Sequence, residues 1–183
     1  MIFQDEREIH QHPPLTRLWA PVGQQPEIPA PGKNEKKVVY GGVDDQTGKL
    51  TDTIADTKCG TSFLAFLIFL VARDAGRKIR LVCDNGRFHT TKAVPAGLDD
   101  HHEPIAIFWL PPYCPSGNLI ERLGGHVKRT RLANVLYKTI DDLVAAFRVG
   151  TKRLTSHRDH MSFMFDHDDL ACKTPNKSLR IAA

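Results

Sequence analysis

The stretch TSFLAFLIFLVARDAGRKIRLVCDNG, residues 61–86, decides the fold class. Its run FLAFLIFLVA (63–72) is ten residues long, well short of the roughly 20 apolar residues that span a bilayer. It reads as a buried core helix, with Thr61 and Ser62 placed to cap it and Gly76 to stop it. KIRLVC (78–83) comes next as an apolar, partly β-branched strand that ends at the turn residues Asp84, Asn85 and Gly86. A core helix leading at once into a buried strand is the unit from which layered α/β domains are built.

Outward from this unit, the pattern continues on both sides. MIF opens the chain as a short strand entering QDE, and residues 10–36, rich in Pro, Gly, Gln and His, form a long irregular excursion. KKVVYGGVDD (36–45) and KLTDTI (49–54), joined by the turn-like QTG, read as a hairpin. TTKAV and the residues after it suggest a broken helix limited by Pro95 and Gly97, and PIAIFWL (104–110) is a further strand. PPYCPSGN is a rigid loop, after which Asn118 caps a helix starting at Leu119. TIDDLVAAFRVGTKRL (139–154) repeats apolar residues at 140, 143, 144 and 147, the spacing of an amphipathic helix. The expectation is a single α/β domain over 1–155, a mixed sheet flanked by helices, with 156–183 a polar, weakly structured tail.

Composition narrows the function. With 183 residues, 41% hydrophobic and 25% charged, the chain has the make-up of one soluble globular domain. Its four cysteines, at 59, 83, 114 and 172, have no CxxC spacing, so neither a structural zinc site nor a disulfide scaffold is suggested and a reducing compartment is expected. No cleavable signal pattern opens the chain. Net charge is +4, but from Arg122 to His160 nine Lys/Arg stand against three acids. Such a segment either faces a polyanion or is a solvated helix surface.

Three carboxylates sit at the ends of elements. Asp5 follows the first strand, Asp84 the central strand, and Glu121 opens the helix after the last strand. In open sheets, functional side chains gather at the carboxyl ends of strands. If the first and central strands are parallel neighbours, Asp5 and Asp84 reach one metal. Carboxylates converging from separate elements suit hard cations such as Mg²⁺ or Mn²⁺, and two such ions serve phosphodiester cleavage or transfer. Each acid also has a plainer reading. Asp84-Asn85-Gly86 is ordinary turn chemistry, Asp5 competes with its neighbours Glu6 and Glu8, and Glu121 completes an Asn118-x-x-Glu capping box.

The blocks FQDE (3–6), HPPLTRLWAPVGQQPEIP (12–29), YGGVDDQTGKL (40–50), LVCDNGRFHTTKAV (81–94) and LPPYCPSGNLIERLGGHVKR (110–129) together resemble the catalytic domain of IS630-type transposases, within the IS630/Tc1/mariner group. The resemblance implies a ribonuclease H-like fold with Asp5, Asp84 and Glu121 as the DDE triad, 36 residues separating the last two. It implies two Mg²⁺ or Mn²⁺ ions on those acids, with His89 and Asn118 in supporting contacts. It also implies cut-and-paste transposition: hydrolysis of double-stranded DNA at the element's ends, then attack of the freed 3′ ends on a target, typically TA, by a homodimer or larger assembly. Arg87, Arg122, Lys128, Arg129 and Arg131 are the expected phosphate contacts, which position DNA more than they specify it. The expected setting is the cytoplasm of a prokaryote, at the nucleoid and away from membranes.

Two positions depart from the family pattern. Its members carry a helix-turn-helix region before the catalytic domain, whereas this sequence begins at the first catalytic strand. A separate helix-turn-helix product is one expectation; an inactive truncated remnant that only binds DNA or a partner is the other. A stand-alone nuclease is a third. Gly124 stands where the family usually has a large aromatic, and losing such a buried side chain costs roughly 3–5 kcal/mol. Gly124 and Gly125 add a helix penalty of about 1 kcal/mol each. Elsewhere, His10 and His12 lack partners for metal binding, and Trp19 and Trp109 are expected to pack rather than stack on bases.

Overall fold

The computed structural model describes residues 1–91, 94, 97, 105–111 and 118–156. Five strands form one sheet: β1 (Ile2–His10), β2 (Lys36–Asp44), β3 (Leu50–Ala55), β4 (Ile79–Cys83) and β5 (Ile105–Trp109). Their spatial order is β3-β2-β1-β4-β5. β1 pairs antiparallel with β2, and β2 with β3, whereas β4 runs parallel to both β1 and β5. This is the mixed sheet of a ribonuclease H-like α/β fold, with the expected hairpin at one side and parallel strands at the other. β1 is longer than expected: it runs through QDE to His10, because the next residues pair with β2 before the irregular excursion begins.

Helix α1 (Gly60–Arg73) covers one face of the sheet, burying Phe63, Phe66, Leu67, Leu70 and Val71 against Ile2, Val38, Tyr40, Ile79 and Leu81. The dense apolar run is therefore core. Its cap differs from expectation: Cys59, not Thr61 or Ser62, is the N-cap, and no side chain closes it. Gly76, at φ +84°, makes the turn into β4.

The opposite face is covered by α2 (Leu119–Val127), a turn of π-helix (Lys128–Leu132) and α3 (Ile140–Thr155). Ile120, Leu123, Val127, Leu143 and Phe147 pack there on Ile9, Val39 and Val43. Thr139 and Asp142 form a full capping box at the start of α3. A single 3₁₀ turn, Arg87–Thr90, follows the Asp84 corner. The rest of the expected broken helix, the PYCPSG loop and the tail from residue 157 lie outside the described residues. Among the described residues, no helix is long and apolar enough to cross a membrane.

Candidate active site

Strand alternation sorts the FQDE acids. β1 lies between the two helical layers, so successive side chains enter opposite cores. Ile2 belongs to the α1 side and Ile9 to the α2–α3 side. Asp5 and Arg7 accordingly line a cavity of about 30 Å³ with Ile120, Leu123, Gly124 and Phe147. Glu6 points the other way, fully buried, to His89. The sequence alone left Asp5, Glu6 and Glu8 in competition; the pleat separates them, and Glu8 pairs at the surface with Lys36 at 3.0 Å.

Asp84 approaches from the neighbouring strand. Phe3 pairs with Val82 across the parallel β1–β4 ladder. Asp5 and Asp84 each stand two positions beyond that pair, Asp84 just past the end of β4 and Asp5 in the middle of β1, which runs on to His10. Asp84 is half exposed, at 52%. Its Oδ1 accepts the Gly86 N–H at 3.1 Å, so the turn reading of Asp84-Asn85-Gly86 holds and coexists with a carboxylate facing solvent.

Glu121 comes from the first turn of α2. The expected capping box is not formed: Asn118 is the N-cap, but its side chain makes no cap bond. Its Nδ2–H donates instead to the Gln4 carbonyl at 2.8 Å, and Asn118 is buried. The Glu121 N–H donates to the Asn118 backbone oxygen. The Asn118 amide thus ties α2 to the residue before Asp5.

Among the described residues, the trio whose ligand atoms lie within 4.8 Å of one another is Glu6, Asp84 and His89, so Asp5, Asp84 and Glu121 do not close to that range, although they feel one another's charge. Burial raises the Asp5 pKa to about 7, and the charges of Glu6 and then Glu121 push in the same direction. Burial also raises Glu121; Arg7 opposes this and the charge of Asp84 adds to it. The buried thiol of Cys83, directly before Asp84, is pushed up by burial and by Glu6, Asp84 and Asp5 together. Crowded, partly desolvated carboxylates raise one another's pKa, and a divalent cation among them removes that conflict. Carboxylate oxygens are hard donors, which suit Mg²⁺ and Mn²⁺ better than zinc.

On the other face, Glu6, Asp84 and His89 form a candidate metal-binding cluster, with ligand atoms within 4.8 Å of one another. His89 is buried, with Nε2 2.8 Å from Glu6 Oε1 and Nδ1 3.1 Å from both the Asp84 backbone oxygen and Oδ1. Glu6 also accepts from Gln4 and pairs with Lys58 at 3.3 Å. Burial alone would raise the Glu6 pKa, but His89, Gln4 and Lys58 together hold it below the usual carboxylate value. Sequence reasoning named Glu6 only as a rival to Asp5 and missed Lys58. The available signal was alternation, which requires adjacent acids on a strand to serve different faces.

The expected DNA-contacting basic residues come from three elements, the 3₁₀ turn, α2 and the π-helical turn. Arg87 is exposed on the 3₁₀ turn beside Asp84, and Lys128 and Arg129 are exposed at the far end of α2. Arg122 and Arg131 are half-buried, and the Arg131 stem lies against Gly150 of α3. His12 Nε2 contacts the Pro31 carbonyl at 3.1 Å and His10 pairs with Glu8 at 3.3 Å. The expectation that both tryptophans pack fails for Trp19 and holds in part for Trp109. Trp19 is fully exposed at 103%, because the excursion offers it no covering layer, and Trp109 is half exposed with one face near the His89 ring at 5.9 Å.

Gly124 is also clarified. The position is not left empty: a Cβ there would collide with the Arg7 guanidinium, which occupies the space a larger residue would take. α2 continues through both glycines, with Leu119, Ile120, Leu123 and Val127 buried.

Residues 1–144 match the family model described as DDE superfamily endonuclease. The chain is 30% identical over 124 residues to the insertion element IS630 uncharacterized 39 kDa protein of Shigella sonnei, covering 67% of this chain and 36% of that one. It therefore spans about a third of the length of this curated relative. Among solved structures, the Mos1 transposase paired-end complex with left transposon end aligns at a TM-score of 0.60 and 15% identity, covering 90% of this chain and 55% of that one. A simian T-cell lymphotropic virus intasome chain aligns at 0.51 and 21% identity, over 66% of this chain and 42% of that one. At such identities the structural likeness speaks to the fold.

Proposed function

Because this chain belongs to the DDE superfamily endonucleases, within the IS630/Tc1/mariner group, we propose that it carries out metal-dependent cleavage and strand transfer of double-stranded DNA, with Asp5, Asp84 and Glu121 as the catalytic acids. The observation that carries this reading is the parallel β1–β4 register, which sets Asp5 and Asp84 level on neighbouring strands, with Glu121 on the first turn of the helix packed over the Asp5 face. Two Mg²⁺ or Mn²⁺ ions bound there supply activation of the attacking oxygen and stabilisation of the leaving oxygen.

The chain's own residues have distinct tasks. Asp5, partly buried and held by the Glu6 N–H at 2.8 Å, is the fixed donor on β1. Asp84, half exposed, is the donor nearest to an incoming phosphodiester. Glu121 closes the set from the helix that Asn118 ties to β1. Arg87 stands beside Asp84, where a phosphate backbone reaching the site would pass, while Lys128 and Arg129 offer contacts further along the duplex. Arg122 and Arg131 complete the proposed DNA contacts from half-buried positions. The reading extends to a homodimer on DNA, acting on the ends of an element and on a TA target, and to recognition of those ends by a helix-turn-helix region supplied by the same or a separate product.

A cleavage and strand-transfer assay on duplex DNA carrying the element's ends, with Mg²⁺ or Mn²⁺, tests it. The assay is run with and without a helix-turn-helix product encoded upstream. Asp5→Asn, Asp84→Asn and Glu121→Gln should each lower product by about a thousandfold, the loss expected when several kcal/mol of metal-borne transition-state stabilisation disappears. Undiminished nicking by any of the three overturns the assignment. Absence of product from the native chain in every condition supports a DNA-binding remnant.

A further inference from the structure

We propose that Glu6 and His89 are positioning residues for Asp84, a buried relay that fixes the Asp84 carboxylate for metal binding without either residue ligating the ion. The proposal rests on the metal-site reading above and adds to it a route by which the α1 side of the sheet controls the acids on the other side.

The geometry is a continuous chain of contacts. Lys58 Nζ lies 3.3 Å from Glu6 Oε2, and Glu6 Oε1 lies 2.8 Å from His89 Nε2. The opposite ring nitrogen, Nδ1, lies 3.1 Å from both the backbone oxygen and Oδ1 of Asp84. Phe63 and Phe88 hold the ring at centroid distances of 4.3 and 4.1 Å, so it cannot turn without disturbing the core. Gly86 leaves room for this contact: a Cβ there would approach Asp84 Oδ1 at 3.1 Å and His89 Nδ1 at 3.2 Å.

Burial separates the roles. The side chains of Glu6 and His89 are fully enclosed, whereas that of Asp84 is 52% exposed. A cation that must also touch a DNA phosphate needs an accessible donor, and only Asp84 of this cluster offers one. Both ring nitrogens of His89 already face protein oxygens, and Glu6 is shared among His89, Gln4 and Lys58. An imidazole turned toward a carboxylate on each side is the arrangement that orients a ligand from behind, and loss of such partners typically lowers metal affinity 10–100-fold.

Mn²⁺ titration of the whole chain, followed by electron paramagnetic resonance, tests the relay without depending on turnover. Glu6→Gln and His89→Gln should each weaken Mn²⁺ binding by about tenfold, and the double variant by no more than either single one. Electron spin echo spectra of bound Mn²⁺ should show no directly coordinated histidine nitrogen. In the metal-free chain, the His89 Nε2–H should exchange slowly by nuclear magnetic resonance and faster in Glu6→Gln. A coordinated histidine nitrogen, or unchanged affinity in both folded variants, overturns the relay while leaving the Asp5–Asp84–Glu121 reading standing. A native chain that binds no Mn²⁺ sinks that reading and the relay with it. Should the variants fail to fold, the spin echo spectrum of the native chain still decides.

Discussion

Asp5 and Glu6 are neighbours on one strand, yet the two faces of β1 treat them in opposite ways. Glu6 is wholly buried, with His89 and Gln4 on one carboxylate oxygen, the Lys58 ammonium 3.3 Å from the other, and its pKa held low. Asp5 is partly buried and crowded, its pKa pushed up to about 7 by burial, Glu6 and Glu121. One face is finished by protein alone; the other holds charge that the protein does not neutralise. Uncompensated carboxylates at the rim of a sheet mark a place where something else must bind, whereas a compensated one marks structure.

The largest expected difference is in stability. Glu6→Ala leaves His89 buried without its partner and should destabilise the metal-free chain by about 3 kcal/mol or more, read from denaturant unfolding. Asp5→Asn should do the reverse, stabilising the metal-free chain at pH 8 by on the order of 2 kcal/mol, since an amide carries no charge to desolvate. Equal signs for the two substitutions would erase the contrast between the faces.

A second effect is its pH dependence. The folded Asp5 value, about 7, lies above its ordinary value of 3.8, so between these limits the native state binds more protons than the unfolded one. The Asp5 contribution therefore favours the fold at low pH and is lost as pH rises toward 7. Mn²⁺ should raise the melting temperature more at pH 8 than at pH 5, and its binding near pH 6 should release protons measurable by calorimetry in buffers of different ionisation enthalpy. An equal shift at both pH values, without proton release, would place the metal away from Asp5.

The smallest effect concerns the helix on the Asp5 side. Gly125 has open surroundings, with Arg129 Nη1 3.6 Å from a built Cβ, so Gly125→Ala should stabilise by about 0.5–1 kcal/mol. Gly124→Ala should gain less, because Arg7 must move; combining it with Arg7→Ala should recover the missing gain in a thermal-melt double-mutant cycle. No coupling between positions 7 and 124 would mean that Arg7 does not occupy that space.

Much of this was legible from sequence because it rests on local rules. The apolar run of α1, the β-branched KIRLVC and the turn residues after it fixed the α/β order, and the end of β4 located Asp84, whereas Asp5, expected just past a strand, lies inside β1. What could not be read depended on contacts between distant segments. Asn118 has the right identity and spacing for a capping box, but its amide goes to Gln4, 114 positions away. Gly124 suggested a lost packing position, which Arg7 of β1 takes up. Trp19 carries the side chain of a packing residue, and only the absence of a layer over the excursion exposes it. Glu6 looked like a rival to Asp5 until the pleat assigned each its own face.

The parallel pairing of β1 with β4 has a consequence for time as well as for space. Asp5 is made before Asp84 and Asp84 before Glu121, and the first two meet only when strands about 80 residues apart align in register. Such long-range pairing forms slowly compared with the local β1–β2 and β2–β3 hairpins. A growing chain thus has a folded meander well before it has all three acids. Asp5 and Asp84 therefore come level only after β4 has been added beside that meander.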